Sequence, residues 1–323
     1  MILAGDIGGT KTILALYEKD GNALHLVKDE EYPSSSEESL ESLLEKFLPH
    51  PSVESACFGV AGPILEGEVS VTNLPWKISE GSLKKTLQTN RVKLLNDLEA
   101  TALGMLHLKE DDFETLQQGN AKGQKGTIAV IAPGTGLGEG ILFWDGTKYH
   151  PIASEGGHTD FGPRNELEID LLSFVQDRVN GRVNHEELLC GNGIRHIHDF
   201  FRKRTQTITP DWLQSELSVG DPNAILTQVG MEGKDAICQE SIELYCTLLG
   251  AEAGNLALTS LSRGGVLLGG GIPPKILSAL KKPHFLEGFN EKGDLSDLMK
   301  SIPVRVALNP RAALIGAAHY LIS

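Results

Sequence analysis

The sequence predicts an α/β fold in two domains, and three observations carry that prediction. At 323 residues the chain exceeds what one hydrophobic core ordinarily serves. Short apolar and β-branched runs alternate with segments of helical length and spacing. A strand, glycine turn and strand near the N-terminus recur in the middle of the chain, which points to two related halves.

In the first half, residues 2–5 read as a buried strand, Gly8 and Gly9 as a turn and residues 12–17 as a second strand, together a hairpin. Residues 53–60 and 91–95 read as further strands, and 37–48 and 98–108 as helices. The middle repeats the hairpin, with a strand over 127–132, a glycine turn over 134–140 and a strand over 141–144 ending at Asp145-Gly146. Beyond it the chain turns helical: 166–180 is closed by Gly181, and 234–261 is apolar at helical intervals. Residues 303–308 read as a strand. Asn309-Pro310 reads as an N-cap with proline at the first helical position, opening a helix to residue 321 that returns to the first domain. The expected domains are a smaller one, 1–108 completed by about 306–323, and a larger one, 109–305.

Composition narrows the function classes. With 40% hydrophobic and 22% charged residues the chain is an ordinary soluble globular protein. A formal charge of -14 repels nucleic-acid phosphates and anionic lipid, so neither is an expected partner. No stretch approaches the roughly 20 apolar residues a bilayer crossing needs, and the expected location is the cytoplasm. Cys57, Cys190, Cys238 and Cys246 form no C-x-x-C pair and read as reduced structural thiols.

The 36 glycines gather where chemistry is expected. In Gly5-Asp6-Ile7-Gly8-Gly9-Thr10-Lys11-Thr12, side-chain-free glycines let backbone N–H groups and the Thr10 hydroxyl approach a phosphate, and Asp6 is placed to hold Mg²⁺. The segment is not a Walker A loop, because Thr10 replaces the second glycine and a strand follows where a helix is required. Gly134-Thr135-Gly136-Leu137-Gly138 stands in the same place after its own strand and offers a second phosphate contact. A third cluster, Gly269-Gly270-Gly271, ends a strand and reads either as a shelf for an adenine ring or as a tight crossover.

Asn96-Asp97 follows an apolar strand, at the strand end where α/β proteins bind ligands. Asp97 is the expected catalytic base; a helix cap is the plain alternative, and the two roles are compatible. Glu155-Gly156-Gly157-His158 sets a carboxylate and an imidazole on a constrained turn suited to gripping a polyol, with Glu186 as a further acceptor. A metal site is the lesser alternative, since no H-E-x-x-H occurs.

Taken with Gly59-Val60-Ala61-Gly62-Pro63, Thr72-Asn73-Leu74-Pro75-Trp76 and Leu268 to Ile272, these segments resemble the bacterial glucokinase family nearly end to end. That family lies within the actin-like, ribonuclease-H-like sugar-kinase superfamily. The resemblance implies a two-lobed fold of mixed sheets with a cleft between the lobes. It also implies ATP- and Mg²⁺-dependent phosphorylation of glucose at the 6-hydroxyl, the first step of glycolysis, by a homodimer. Carried over by position, Asn96, Asp97, Glu155, His158 and Glu186 contact the sugar, and Asp6, Gly8, Gly9, Thr10 and Thr135 face the nucleotide. The related repressor-and-kinase family carries a cysteine-rich zinc loop after the Glu-Gly-Gly-His turn. Residues 159–168 contain no cysteine, which places the resemblance in the zinc-free branch; Lys11, often asparagine there, is a departure. The rival readings are a kinase for another hexose, a non-catalytic sugar sensor and a sugar-independent ATPase.

Overall fold

The computed structural model describes residues 1–21, 23–48, 53–71, 74–120, 125–179 and 181–322. The chain forms two compact units. One comprises Met1–Phe113, Pro151–Ala153 and Asn309–Ser323, the other Glu114–His150 and Ser154–Leu308.

The first unit is built on strands β1 (Ile2–Ile7), β2 (Lys11–Asp20), β3 (Ala23–Pro33), β4 (Ser55–Val60) and β7 (Val92–Asn96), in the order β3-β2-β1-β4-β7. A two-stranded ribbon, β5 (Glu68–Ser70) and β6 (Lys77–Ser79), lies outside that sheet. β1 runs antiparallel to β2 and parallel to β4, which runs parallel to β7. β1 and β4 are buried on both faces, so residues 2–4 and 56–58 read as continuous apolar runs. Leu3, Phe58 and Val60 pack on one face with Leu40, Leu43 and Phe47 of α1 (Leu40–Phe47) and Leu83 of α2 (Glu80–Thr86). Ala4, Ala15 and Cys57 face the other way, against Ala100 of α3 (Asp97–Met105).

Several elements differ from the sequence expectation: β3, β5, β6 and α2 carried no expectation, and α3 ends at Met105 and not at residue 108. Helix α1 starts at Leu40 and not at residue 37, because Ser39 and Ser42 form a reciprocal capping box at 3.3 Å. Strand β3 is an edge strand, mostly exposed, in which an apolar start gives way to four consecutive charged residues, 28–31.

The second unit repeats the arrangement. The strands of its sheet, which lie in this unit except for Phe113 and Pro151–Ala153, are β8 (Phe113–Gln117), β9 (Ile128–Pro133), β10 (Leu137–Trp144), β11 (Tyr149–Ser154), β12 (Gly265–Leu268) and β13 (Val304–Ala307), ordered β11-β10-β9-β12-β13-β8. β9 is antiparallel to β10 and parallel to β12, which is parallel to β13, the same pairing as in the first sheet. The recurring hairpin thus marks a recurring sheet. β10 begins at Leu137, so the expected turn over 134–140 shrinks to its first three residues, and Gly138 and Gly140 lie inside the strand.

Helices cover this sheet: α4 (Glu166–Val179), α5 (His185–Leu189), α6 (Gly193–Thr205), α7 (Asp211–Val219), α8 (Pro222–Met231), α9 (Ala236–Thr259), α10 (Leu277–Leu280), α11 (Pro283–Asn290) and α12 (Ser296–Ser301). The central one is α9, which brings Tyr245, Leu249 and Ala253 into a core with Ile131, Leu268 and Phe285. The end of the expected 166–180 helix, residue 180, lies outside the described residues. All four cysteines are buried and free of disulfides.

The last helix, α13 (Ala312–Tyr320), belongs to the first unit. It starts two residues later than Asn309-Pro310 suggests: Asn309 Oδ1 accepts from Arg311 N at 3.0 Å in a turn, and Arg311 occupies the cap position. α13 crosses α3 backbone to backbone at a pair of glycines. A Cβ on Gly316 would stand 2.6 Å from Gly104 N, and one on Gly104 would stand 2.9 Å from Gly316 N. Alanine in a helix interior ordinarily stabilises over glycine by about 1 kcal/mol. Here the sign reverses: Gly316→Ala is expected to lower unfolding free energy by about 1–3 kcal/mol through overpacking. Urea titration checks this; unchanged or raised stability contradicts the crossing.

Candidate functional site

The first glycine segment closes the β1–β2 hairpin, with Gly8 N donating to Lys11 O at 2.9 Å. β2 follows at once, so a strand and not a helix succeeds the loop. Ser34, which sequence reasoning missed, pins it: the buried hydroxyl donates to Gly8 O at 2.7 Å and lies 3.0 Å from the Thr12 hydroxyl, while Ser34 N donates to Thr10 O at 2.9 Å. Thr10 is exposed at the tip. Lys11 pairs with Glu31 at 3.2 Å on the sheet edge.

Sheet register brings Asp6 and Asp97 together. Asp6 pairs with Gly59, and Gly59 with Leu95, so the residues just past β7 lie across a position with no side chain. A Cβ on Gly59 would meet Ala100 Cβ at 2.8 Å and stand 3.8 Å from Asp97 Cα, on the face where α3 begins. The cap of α3 is Asn96: its Oδ1 accepts from Leu98 N at 3.0 Å, and its Nδ2 donates to Gly62 O at 3.3 Å. Gly62 has φ 138°, a conformation that favours glycine, which explains its place in the Gly-Val-Ala-Gly-Pro segment. Asp97 is therefore the first helical residue and not the cap, although its Oδ1 also accepts from Leu98 N at 2.9 Å. Burial and the charge of Asp97 push the Asp6 carboxyl up to about 6, with Lys11 opposing them.

In the second unit, Gly134 N donates to Gly136 O at 2.8 Å, turning the chain between β9 and β10. Gly270, with φ 78°, lets the third glycine cluster lie against that turn; a Cβ there would stand 2.9 Å from Ala132 C. Ile272 N donates to Pro133 O at 3.2 Å in the same contact. Together they wall a cavity of about 720 Å³, lined by Gly134, Thr135, Asn192, Gln228, Gly271 and Lys275 among others. Its volume is in the range of small-molecule sites. Asn192, Gln228 and Lys275 carried no sequence signal, because their part in the wall follows only from helix packing.

The Glu155–His158 turn and Glu186 converge on Leu137. Glu186 Oε2 accepts from Leu137 N at 2.8 Å, while a Cβ on Gly157 would stand 2.9 Å from Leu137 Cβ. Glu155 and His158 are exposed, with Glu155 Oε2 and His158 Nε2 4.0 Å apart. Asn184, just before α5, lies 3.3 Å from His158 Nδ1, and Arg182 donates to His158 O at 2.9 Å. The predicted site residues thus divide by unit: Asp6, Gly8, Gly9, Thr10, Asn96 and Asp97 on the first, Gly134, Thr135, Gly136, Glu155, His158, Glu186 and Gly270 on the second. Of the Thr-Asn-Leu-Pro-Trp segment, residues 72 and 73 lie outside the described residues; Trp76 is buried and donates from Nε1 to Glu37 O at 3.2 Å, a packing role.

Comparison with known proteins agrees with this geometry. A family model described as Glucokinase matches residues 3–323. A glucokinase of Trichormus variabilis is 39% identical, with 98% of both chains covered, and one of Synechocystis sp. is 38% identical over 98% of this chain and 96% of the relative. Among solved structures, a glucokinase from an Antarctic psychrotroph superposes with a TM-score of 0.87 at 30% identity, covering 99% of this chain and 98% of that one. A glucokinase of Balamuthia mandrillaris in complex with glucose shares the fold, with a TM-score of 0.77 at 19% identity and coverage of 99% and 93%. The ordered motifs, the duplicated sheet and these likenesses agree, and the chain belongs to the glucokinase family.

Proposed function

We propose that Asp97 is the general base in the reaction of this chain, the transfer of the γ-phosphoryl group of ATP to the 6-hydroxyl of glucose. Membership of the glucokinase family makes the chain a hexose kinase with ATP and glucose as substrates. The observation that carries the role of Asp97 is its place at the first residue of α3, beside Asp6 at the end of a parallel strand. The helix N-terminus favours the ionised carboxylate that must accept the hydroxyl proton. Asn96, held by Gly62, and Glu155, His158 and Glu186 are read as the sugar contacts. Each offers acceptors or donors to hydroxyl groups, and a site built for a hydroxyl discriminates against a sugar that lacks or inverts it.

The Gly8–Thr10 and Gly134–Gly136 turns are read as phosphate cradles: the Gly8 and Gly134 N–H groups close the turns, and the glycines let the rest of the turn backbone approach developing charge. Gly270 sets the wall of the cavity that the nucleoside part of ATP is proposed to fill. A divalent cation suits Asp6: two carboxyls side by side, one pushed up by burial and by its neighbour, form an electrostatic deficit that a cation relieves. Mg²⁺ held there with phosphate oxygens would neutralise charge on the transferred group. No helix among the described residues is long and apolar enough to cross a membrane. The remaining parts of the proposal rest on the family resemblance: a cytoplasmic homodimer at the first step of glycolysis, with functional domains over 1–108 plus about 306–323 and over 109–305.

Asp97→Asn keeps the shape and removes the base, so kcat is expected to fall by about 10²- to 10⁴-fold with ATP binding retained. Steady-state ADP release checks this, and turnover like the wild type refutes the role. Asp6→Asn is expected to abolish activity yet raise stability. A carboxyl pushed up to about 6 destabilises the folded state increasingly from about pH 4 to pH 6, and fully above. Without nucleotide or cation at pH 7.5 the variant gains about 1–2 kcal/mol, and the gain vanishes below about pH 4. Calorimetry reads both; a gain independent of pH contradicts the carboxyl pair.

A further inference from the structure

Under the Glu155–His158 turn lies a carboxyl that none of these roles uses. Glu139 stands on β10 between Gly138 and Gly140 and is 2% exposed. Its Oε2 occupies the space a side chain on Gly156 would need, and that Cβ would stand 3.0 Å from Glu139 Cδ. Ser154 ties the same turn to the same residue: its hydroxyl donates to Glu139 O at 3.1 Å and accepts from Gly156 N at 3.1 Å. The turn therefore sits on Glu139 with no side chain between.

Behind Glu139 stands Glu252 of α9, 5% exposed, whose carboxyl acts on that of Glu139. Glu252 Oε2 lies 3.0 Å from His185 Nε2 and accepts from Asn255 Nδ2 at 2.9 Å. Lys292 Nζ in turn donates to Asn255 Oδ1 at 2.5 Å. His185 returns to the turn: its backbone N donates to Thr159 O at 3.1 Å, and the next residue is Glu186. Two neighbouring buried carboxyls favour holding one proton between them, since both ionised would repel without water to screen them. Burial, with the charge of Glu252 adding to it, pushes the Glu139 carboxyl up to about 8, and Glu139 Oε1 has no hydrogen-bond partner. Around Glu139 the ionisable groups are Glu252 from α9, His185 and Glu186 from α5, and Glu155 and His158 from the turn. β9 carries no ionisable side chain. Tyr149 and His150 of β11 lie at the far end of the ribbon, beside Trp144 and Asp145.

We propose that Glu139 is a positioning residue for the sugar: as the protonated acid it bonds Glu252 and forms the uncharged floor that sets the Glu155–His158 turn, and losing that proton loosens the turn and weakens glucose binding. This rests on reading that turn as the sugar-binding turn.

The test is glucose affinity by calorimetry and glucose KM by ADP release, from pH 6.5 to 9.5, for wild type, Glu139→Gln, Glu139→Leu and Glu155→Ala. In the wild type, Kd and KM for glucose are expected to rise about tenfold from pH 8 to 9.5 as one proton leaves, with kcat and the KM for ATP changing far less. Glu139→Gln keeps a donor toward Glu252 that does not titrate, so affinity near the wild-type value at pH 7 stays flat to pH 9.5. Glu139→Leu, which removes the donor, raises glucose KM more than tenfold at every pH. An alkaline rise retained in Glu139→Gln, or absent from the wild type, overturns the proposal, and the isosteric variant decides if the leucine variant fails to fold. Glu155→Ala separates the two readings. If it leaves glucose affinity intact, the sugar-turn reading itself fails; if it weakens affinity while Glu139→Gln titrates like the wild type, only the role of Glu139 falls.

Discussion

Backbone set directly on backbone, with no side chain between, is the constraint on which the other features rest. α3 is fixed where Gly104 and Gly316 bring its axis against α13, and its first residue is Asp97. The Glu155–His158 turn is fixed where Gly157 lies on the backbone of Leu137 in β10, and the cavity wall where Gly270 meets the end of β9. In the first two cases a side chain with a proposed role is carried by an element whose height above its support is set by close van der Waals contact. Positions fixed in this way tolerate errors of only a few tenths of an ångström, the precision that proton and phosphoryl transfer demand.

Against that rigid frame the chain sets an electrostatic cost. Asp6 is brought to Asp97 in the first unit, and Glu139 to Glu252 in the second. Neither pair aids folding, because burying like carboxyls disfavours the folded state. Each adjoins residues with proposed roles, which is where local rules of stability are expected to be broken. The two pairs differ in how they are relieved. Asp6 and Asp97 lie at the end of the sheet, where the proposed cation and phosphate would relieve them. Glu139 and Glu252 are sealed in the core, where a proton and the His185, Asn255 and Lys292 network must serve.

What the sequence disclosed follows from how local each feature is. The two hairpins were legible because apolar strands and glycine turns are contiguous, and their recurrence pointed to two related halves; that the two sheets share one strand pairing came from the structure. β3 was not, because an edge strand bonded on one side carries the charged run 28–31 and no apolar alternation sustained over its length. The start of α13 was misplaced because Asn309 closes a turn on Arg311 before the helix begins, a choice that rests on φ and ψ more than on residue type. The glycine clusters and Asn96-Asp97 announced themselves by spacing, but the division of labour between cap and carboxylate needed the hydrogen bonds of Asn96. Ser34 and the Glu139–Glu252–His185 set were invisible because their partners lie far along the chain. The one clue was an acidic residue between two glycines in the β10 strand.

The measurement that bears most directly on the whole account is ADP release by the purified protein with ATP and Mg²⁺, alone and with glucose, mannose, fructose, galactose or N-acetylglucosamine. The account predicts negligible release without sugar and strong stimulation by glucose. Release that is independent of sugar, or stimulated by another of these sugars and not by glucose, would contradict it.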